Sequence, residues 1–430
     1  MNDKPPYKTL LVTLFIWVTI AGVIGLTIGS TTALLLHTND FLGLTRKENS
    51  WLIFLLPLAG MAIGFLYMQA GEKSGNELYK GNNLVIEGVQ GKKTMIRRLG
   101  PLVYVGTFLT VLFGGSTGRE GAAIQMGGSV AETVIRFCKI NAVDTKLLLM
   151  SGISAGFGTA FGAPIAGAVF GMEMTALGKL KYEAIVPCLV SSIVGHYTAE
   201  KLWGVKHESF IIETVPTMSF LTVSKVILLA ILFSFLSVLY CQVRHGIQKY
   251  SEKITKKNHV LRAFAGGMII VALTMIIGTV QYNGRGIEML EQAFHEEVPA
   301  FAFLFKLVFT AVTLGTGFVG GEAIPLFFMG ATLGNSLYGF VDLPLSFLAA
   351  LGMIATFVGG ANTPIAAFLL AIEMFDGKAI EFFFLACVTS YIFSGHHGLW
   401  PSQTIYEPKS RLYKIPTGKT VASIEKKKEE

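Results

Sequence analysis

The chain has 430 residues, 52% of them hydrophobic and only 15% charged, with a formal net charge of +7. That balance excludes an ordinary soluble globular domain, in which about a quarter of the residues carry charge. The basic residues flank apolar runs, at Lys4 and Lys8, from Arg244 to Arg262, and between residues 409 and 428. This is the distribution of a membrane protein and not of a nucleic-acid surface.

In chain order, apolar runs long enough to cross a bilayer fall at 10–36, 51–69, 221–240, 263–280 and 301–319. Shorter runs, or runs broken by Gly and Pro, fall at 101–113, 151–174, 345–358 and 361–374. The pattern predicts an all-α, polytopic membrane protein with on the order of ten or more helical segments, several of them interrupted. The first run is too long for a signal-peptide core and reads as a retained helix. By the positive-inside rule the three basic regions face the cytoplasm, so both termini are expected there. The expected layout is a transmembrane domain over 1–408, with a basic linker over 242–262, followed by a short charged tail over 409–430 and no soluble regulatory domain.

The four cysteines (Cys138, Cys188, Cys241 and Cys387) are far apart and are expected as buried thiols, and His396–His397 has no acidic neighbour in sequence. Neither a metal site nor any other cofactor is indicated. Two Gly-x-Ser-x-Gly strings, around Ser116 and Ser154, lack the setting of a nucleophile and read as close helix packing. An intramembrane enzyme is therefore a remote alternative.

Residues 112–130, LFGGSTGREGAAIQMGGSV, carry one arginine and one glutamate in an otherwise glycine-rich apolar stretch. A charged residue at the centre of a membrane helix costs about 2.5–3.5 kcal/mol on translocon scales. Such residues persist where they pair or line an ion path, and glycines let backbone N–H groups approach a ligand closely.

The chain also repeats itself. Ala163-Pro-Ile-Ala-Gly-Ala-Val-Phe-Gly-Met-Glu173-Met174 matches Thr363-Pro-Ile-Ala-Ala-Phe-Leu-Leu-Ala-Ile-Glu373-Met374 at an offset of 200 residues. Upstream, Gly118-Arg119-Glu120-Gly121-Ala122 aligns with Gly321-Glu322-Ala323-Ile324-Pro325 at an offset of 203. Two ordered matches at nearly one offset indicate a duplicated unit, with repeat 1 expected at about 50–205 and repeat 2 at about 215–405. Transporters built from such repeats, often of inverted topology, place their site where interrupted helices of the two halves meet. Both glycine-rich motifs open an apolar helix, and helix N-termini favour an anion over a cation.

At these residues the chain resembles the CLC family of chloride channels and anion/proton antiporters. The family's Gly-Arg-Glu-Gly-Pro motif corresponds to residues 118–122, with Ala122 in place of proline, and its Gly-x-Phe-x-Pro motif to residues 321–325. The departures are as specific as the matches. Asn82, in Gly81-Asn82-Asn83-Leu84-Val85, stands where the family's chloride-binding serine is expected. Met174 stands at the internal proton-transfer glutamate, Trp400 at the tyrosine that closes the anion site, and Glu322 is an additional acid. These substitutions resemble the bacterial branch of CLC-type fluoride/proton antiporters.

The resemblance implies fluoride export in exchange for protons across a bacterial inner membrane, by a homodimer with one pathway per subunit. A chloride/proton antiporter or chloride channel of the same fold is the alternative. Glu120 is implied as the gate and proton carrier. Glu322 is either a second participant in proton or fluoride handling or the partner of Arg119 in a structural ion pair. Anion contacts are expected from Gly81, Asn82 or Asn83, Gly118, Gly121, the backbone of Ala323 and Ile324, and Trp400. Asn82 could equally cap a helix N-terminus. Glu173 and Glu373 are read as packing or capping residues.

Overall fold

The computed structural model describes residues 6–71, 77–413, 415 and 417–424. The expectations for Lys4 and for residues 425–430 lie outside the described residues. Two β-strands of two residues each are the only extended elements among the described residues, and the rest of the regular structure is helical.

The first half consists of α1 (Tyr7–Glu48), α2 (Leu56–Gly71), α3 (Asn82–Val89), α4 (Leu99–Leu112), α5 (Glu120–Phe137), α6 (Ala142–Phe161), α7 (Pro164–Glu173) and α8 (Ile185–Tyr197). The second consists of α9 (Phe220–Ile254), α10 (His259–Ile277), α11 (Ile287–Gln292), α12 (Ala302–Gly315), α13 (Ala323–Ser336), α14 (Leu345–Ala361), α15 (Pro364–Met374) and α16 (Ile380–Phe393). Strands β1 (Ala176–Leu177) and β2 (Thr404–Ile405) pair in parallel. The helix formed by residues 7–48, the segment 50–71, and the helices α9 and α10 are long and apolar enough to cross a membrane. Large apolar side chains of α1, among them Leu11, Phe15 and Leu34, stand exposed on its outer face, as a lipid-facing helix requires.

The two halves repeat each other's main helix packings. Helix α1 packs on α6 and α8, and α9 packs on α14 and α16. The α5–α6 crossing is matched by the α13–α14 crossing. Each crossing is set by a glycine pair: a Cβ on Gly127 would meet the Gly152 carbonyl at 2.2 Å, and one on Gly330 would meet that of Gly352 at 2.0 Å. Backbones can approach this closely only where no side chain intervenes. Equivalent elements also meet each other, α2 against α10 and α7 against α15.

The α7–α15 contact shows the symmetry most directly. Glu173 at the end of α7 accepts the N–H groups of Ile365 and Ala366 at the start of α15, at 3.2 and 2.8 Å. Glu373 at the end of α15 accepts those of Ile165 and Ala166 at 2.9 and 2.8 Å. Each carboxylate satisfies two orphan donors of the other repeat's first turn. Both glutamates therefore cap, and the reciprocity is that of a local two-fold axis.

Four expectations about layout are corrected. Repeat 1 does not begin near residue 50, because α1 is the counterpart of α9. The run 301–319 is not one span: α12 stops at Gly315, and Gly317, with φ +102°, turns the chain away from helix. Residues 242–254 are not a linker but the last turns of α9, and the connection to α10 is only Thr255–Asn258. The described part of the 409–430 tail is anchored at two points, while residues 411–413 stand exposed: Val421 is buried with Leu177 and Ile405, and Lys409 Nζ bonds Asn362 Oδ1 and Ser394 Oγ. Cys138, too, is exposed while the other three cysteines are buried. The serines of the two Gly-x-Ser-x-Gly strings lie inside helix packing, Ser116 on Thr310 and Ser154 on the Ala168 carbonyl.

Candidate anion site

The two glycine-rich motifs meet at the centre of the molecule. Gly118 and Gly321 form an antiparallel bridge, each N–H donating to the other's carbonyl at 2.8 Å. Immediately beyond the bridge, α5 starts at Glu120 and α13 at Ala323, so two helix N-termini converge on one point. The helix itself provides no acceptor for the N–H groups of its first turn. At α13, Pro325 removes one of these donors and leaves those of Ala323 and Ile324.

Glu120 is 2% exposed, and its Oε2 accepts the backbone N–H of Arg119 at 3.1 Å. The carboxylate lies against bare backbone. A Cβ on Gly118 would stand 2.4 Å from Oε2, and one on Gly321 would stand 3.2 Å from Oε2 and 2.7 Å from the Gly121 nitrogen. Glycine at these positions is thus a steric condition for holding the acid between the loops.

Beside Glu120 is a chamber of about 10 Å³, with Asn82, Gly121, Glu322, Ala323 and Trp400 in its wall. Its apolar wall includes Phe157, Phe170 and Phe357, with Phe157 and Phe170 stacked 3.8 Å apart and Trp400 edge-on to Phe170 at 5.9 Å. This is room for about one water-sized occupant. Trp400 Nε1 and Asn82 Oδ1 are both buried without a hydrogen-bond partner. An asparagine amide exchanges its oxygen and NH2 by a half-turn, so Asn82 can present donors to the same space. Buried polar groups left unmade cost about 1–3 kcal/mol each, and a small anion in the chamber offers both an acceptor.

Asn82, Glu322 and Trp400 also line a larger neighbouring cavity of about 100 Å³ that includes Gly81, Asn83, Gln125, Arg244 and Arg262. Gly81, at φ +54°, is the residue preceding α3, and Asn82 Oδ1 accepts no hydrogen bond from the first turn. The helix-cap alternative for Asn82 is thereby overturned. Asn83 turns away from the chamber: its Oδ1 accepts the Ser402 N–H at 2.9 Å and fixes the loop that carries Trp400. Ile324 likewise faces Gly118 and does not line the chamber.

The expected Arg119–Glu322 ion pair does not form. Arg119, 1% exposed, bonds Asp40 at 2.7 Å and Glu208 at 2.9 Å, and Arg285 bonds the same two acids at 2.6 Å each. Glu322 accepts the Tyr240 hydroxyl at 3.1 Å and lies 3.2 Å from Arg244 Nε. The register explains the correction. When Gly118 pairs antiparallel with Gly321, the residue after one faces the residue before the other. Arg119 is therefore opposite Gly320, and Glu322 is opposite Thr117.

Several site residues escaped the sequence reading. Asp40 and Glu208 neutralise Arg119 and are shared with Arg285, from three separate segments that no local spacing reveals. Tyr240 and Arg244 were legible in principle, since their i, i+4 spacing puts both on one face of α9. Lys306 is fully buried, its ammonium held by the carbonyls of Tyr282 and Gly284 at 3.2 and 2.7 Å.

Residues 59–395 match the family described as voltage gated chloride channel. The chain belongs to that family. It is therefore a multi-pass membrane transport protein and not an enzyme. It is 37% identical to the chloride/fluoride channel protein of Pseudomonas syringae pv. tomato, over 94% of this chain and 90% of that one. It is 25% identical to an H(+)/Cl(-) exchange transporter of Vibrio parahaemolyticus, over 75% and 72% of the two chains. Among solved structures, a CLC-type fluoride/proton antiporter superposes with a TM-score of 0.87 at 28% identity, covering 91% of this chain and 98% of its own. A slow cyanobacterial Cl-/H+ antiporter, at 19% identity and a TM-score of 0.72, shares the fold.

Proposed function

We propose that the chain is a proton-coupled anion antiporter that exports fluoride from a bacterial cytoplasm in exchange for external protons. In this reading it works as a homodimer in the inner membrane, with both termini cytoplasmic. The observation that carries it is the placement of the Glu120 carboxylate beside a chamber with room for one small occupant.

A carboxylate and an anion confined there are like charges in a wall largely of aromatic and aliphatic groups. At about 4 Å two like charges repel by roughly 4 kcal/mol, taking an effective dielectric constant of about 20. The anion is then accommodated when Glu120 takes up a proton or moves aside, and its departure favours release of that proton. Glu322, also in the chamber wall, accepts the Tyr240 hydroxyl, lies beside Arg244 and adds a second carboxyl group to the site.

Fluoride is small and strongly hydrated, so it needs several short-range donors to replace its water. Trp400 Nε1, the Asn82 amide and the N–H of Ala323 supply them within one chamber. Asparagine at position 82 in place of serine, the kinship with a chloride/fluoride channel protein, and the likeness to a solved fluoride/proton antiporter support the same choice.

Proteoliposomes loaded with equal fluoride and chloride test the selectivity. Fluoride efflux at least about tenfold faster than chloride efflux is expected, corresponding to about 1.4 kcal/mol of discrimination. Equal rates would replace this reading with chloride/proton exchange on the same fold.

A further inference from the structure

Trp400 brings an indole donor to the chamber, yet its Nε1 has no hydrogen-bond partner among the described residues. No polar contact of its own therefore fixes where that N–H points, and the turn that carries Trp400 has to do so. The Trp400 carbonyl accepts the Gln403 N–H at 3.0 Å, and the Leu399 N–H donates to the Gly360 carbonyl at 2.9 Å. The turn thus hangs from the end of α14 and closes on Gln403. That residue is fully buried, although glutamine is mostly a surface residue.

The Gln403 side chain joins the two repeats. Its Nε2 donates to the Met174 carbonyl at 2.8 Å, just past the end of α7, and to the Ala361 carbonyl at 3.1 Å, the last of α14. Carbonyls at a helix C-terminus have no partner within the helix, and this amide satisfies one from each half. Its Oε1 accepts Asn362 Nδ2 at 3.1 Å, and the same Nδ2 donates to the His397 carbonyl at 3.0 Å. A Cβ on Gly398 would stand 2.3 Å from that nitrogen, so glycine leaves it room. Asn362 Oδ1 accepts Lys409 Nζ, which also reaches Ser394 Oγ at 2.9 Å and stands 4.3 Å from the centre of the Tyr391 ring. Backbone carbonyls only accept and a lysine ammonium only donates. The direction of every bond in the row is therefore fixed, and neither amide can turn over without losing bonds at both ends.

We propose that Gln403, held in orientation by Asn362 and Lys409, is a positioning residue for the anion and acts by setting where the Trp400 N–H enters the chamber. The inference rests on the anion-transport reading and adds a residue that touches neither transported ion. A hydrogen bond weakens steeply as its angle falls toward about 120°, so a small rotation of the turn is enough to lose the indole's contribution. In a chamber with room for about one occupant, the anion cannot move to follow a displaced donor. The row starts at Lys409, in the segment after the last membrane helix, and reaches the Trp400 turn through two amides. The tail is thereby tied to the geometry of the anion site.

Calorimetric titration of the purified full-length protein with sodium fluoride, and separately with sodium chloride, tests the role. Gln403→Leu keeps the bulk and removes the amide, and its dissociation constant is expected to rise about tenfold, the loss of about one hydrogen bond to the anion. In a Trp400→Phe background the same substitution should add less than about twofold, because the donor it positions is gone. An equal rise in both backgrounds overturns the proposal. So does a wild-type dissociation constant accompanied only by a lower unfolding midpoint, which is what a purely structural anchor would give. Because Gln403 is fully buried and its loss can disturb folding, Lys409→Met at the outer end of the row serves as the second variant. There a rise of about threefold is expected, again absent in the Trp400→Phe background, and a wild-type value overturns the proposal. Failure of the transport reading is distinguishable: the expected binding pattern without fluoride efflux would remove the antiporter and keep the positioning role, whereas fluoride efflux with equal rises in both backgrounds would do the reverse.

Discussion

The two glycine-rich loops have the same backbone and opposite charge logic. At the first, the repeated position carries Arg119, drawn into a neutral cluster with Asp40, Glu208 and Arg285. At the second it carries Glu322, drawn toward Tyr240, Arg244 and the larger cavity. Duplication supplies what must be symmetric: the bridge, two converging helix N-termini and two capping glutamates. The side chains that differ between the copies supply what must be asymmetric, a distinct environment on each side of one chamber.

The largest effect is expected at the shared backbone. Gly118→Ala places a methyl carbon 2.4 Å from Glu120 Oε2, closer than the two atoms can stand, so the carboxylate is displaced. Fluoride flux in proteoliposomes should fall by at least about 100-fold, the loss of roughly 2.7 kcal/mol of stabilisation. Flux within a factor of a few of wild type would show that the two loops do not need to close on the acid.

The caps come next. Glu173→Gln keeps the shape of the side chain but replaces one of its two accepting oxygens by an NH2 group, so one first-turn N–H of α15 loses its acceptor, which should cost about 1–3 kcal/mol. Thermal unfolding in detergent should show a lower midpoint, with a similar change for Glu373→Gln. A large loss in one and none in the other would break the equivalence of the two halves.

Smaller still is the coupling between the loops' two charges. Arg119→Ala and Glu322→Gln touch different partners, so their effects on stability should add to within about 0.5 kcal/mol in the double variant. A larger interaction energy would restore the direct ion pair that the register excludes. Tyr240→Phe removes one hydroxyl donor from the Glu322 carboxylate and should change stability by about 1.5–3 kcal/mol. An effect on flux as large as that of Gly118→Ala would mean that Tyr240 does more than hold Glu322.

Most of the chamber was legible in the sequence. Asn82, Glu120, Gly121, Glu322, Ala323 and Trp400 all line it, because short motifs dictate local backbone and the duplication dictates which motifs meet. Their partners were less legible. Hydropathy marks 301–319 as one apolar run but does not register that Gly317 ends the helix inside it. Charge counting assigns Arg244 and Arg262 to a basic linker, since it does not see that α9 continues to Ile254 and α10 begins at His259, so that both arginines lie on helices and line the larger cavity. Arg119 was matched with its repeat equivalent, although only residues at the axis meet their equivalents. In the antiparallel bridge these are Gly118 and Gly321, and the next residue on each strand is already out of step.

Glu120 is where the two loops' shared backbone and divergent charges come together, and proton uptake recorded alongside fluoride efflux tests its role most directly. Wild-type proteoliposomes with an outward fluoride gradient should take up protons in fixed proportion to the fluoride lost. Glu120→Gln should abolish the proton uptake, whatever fluoride movement remains. Proton uptake that persists in Glu120→Gln at the wild-type ratio would contradict the assignment of Glu120 as the group that couples the two ions.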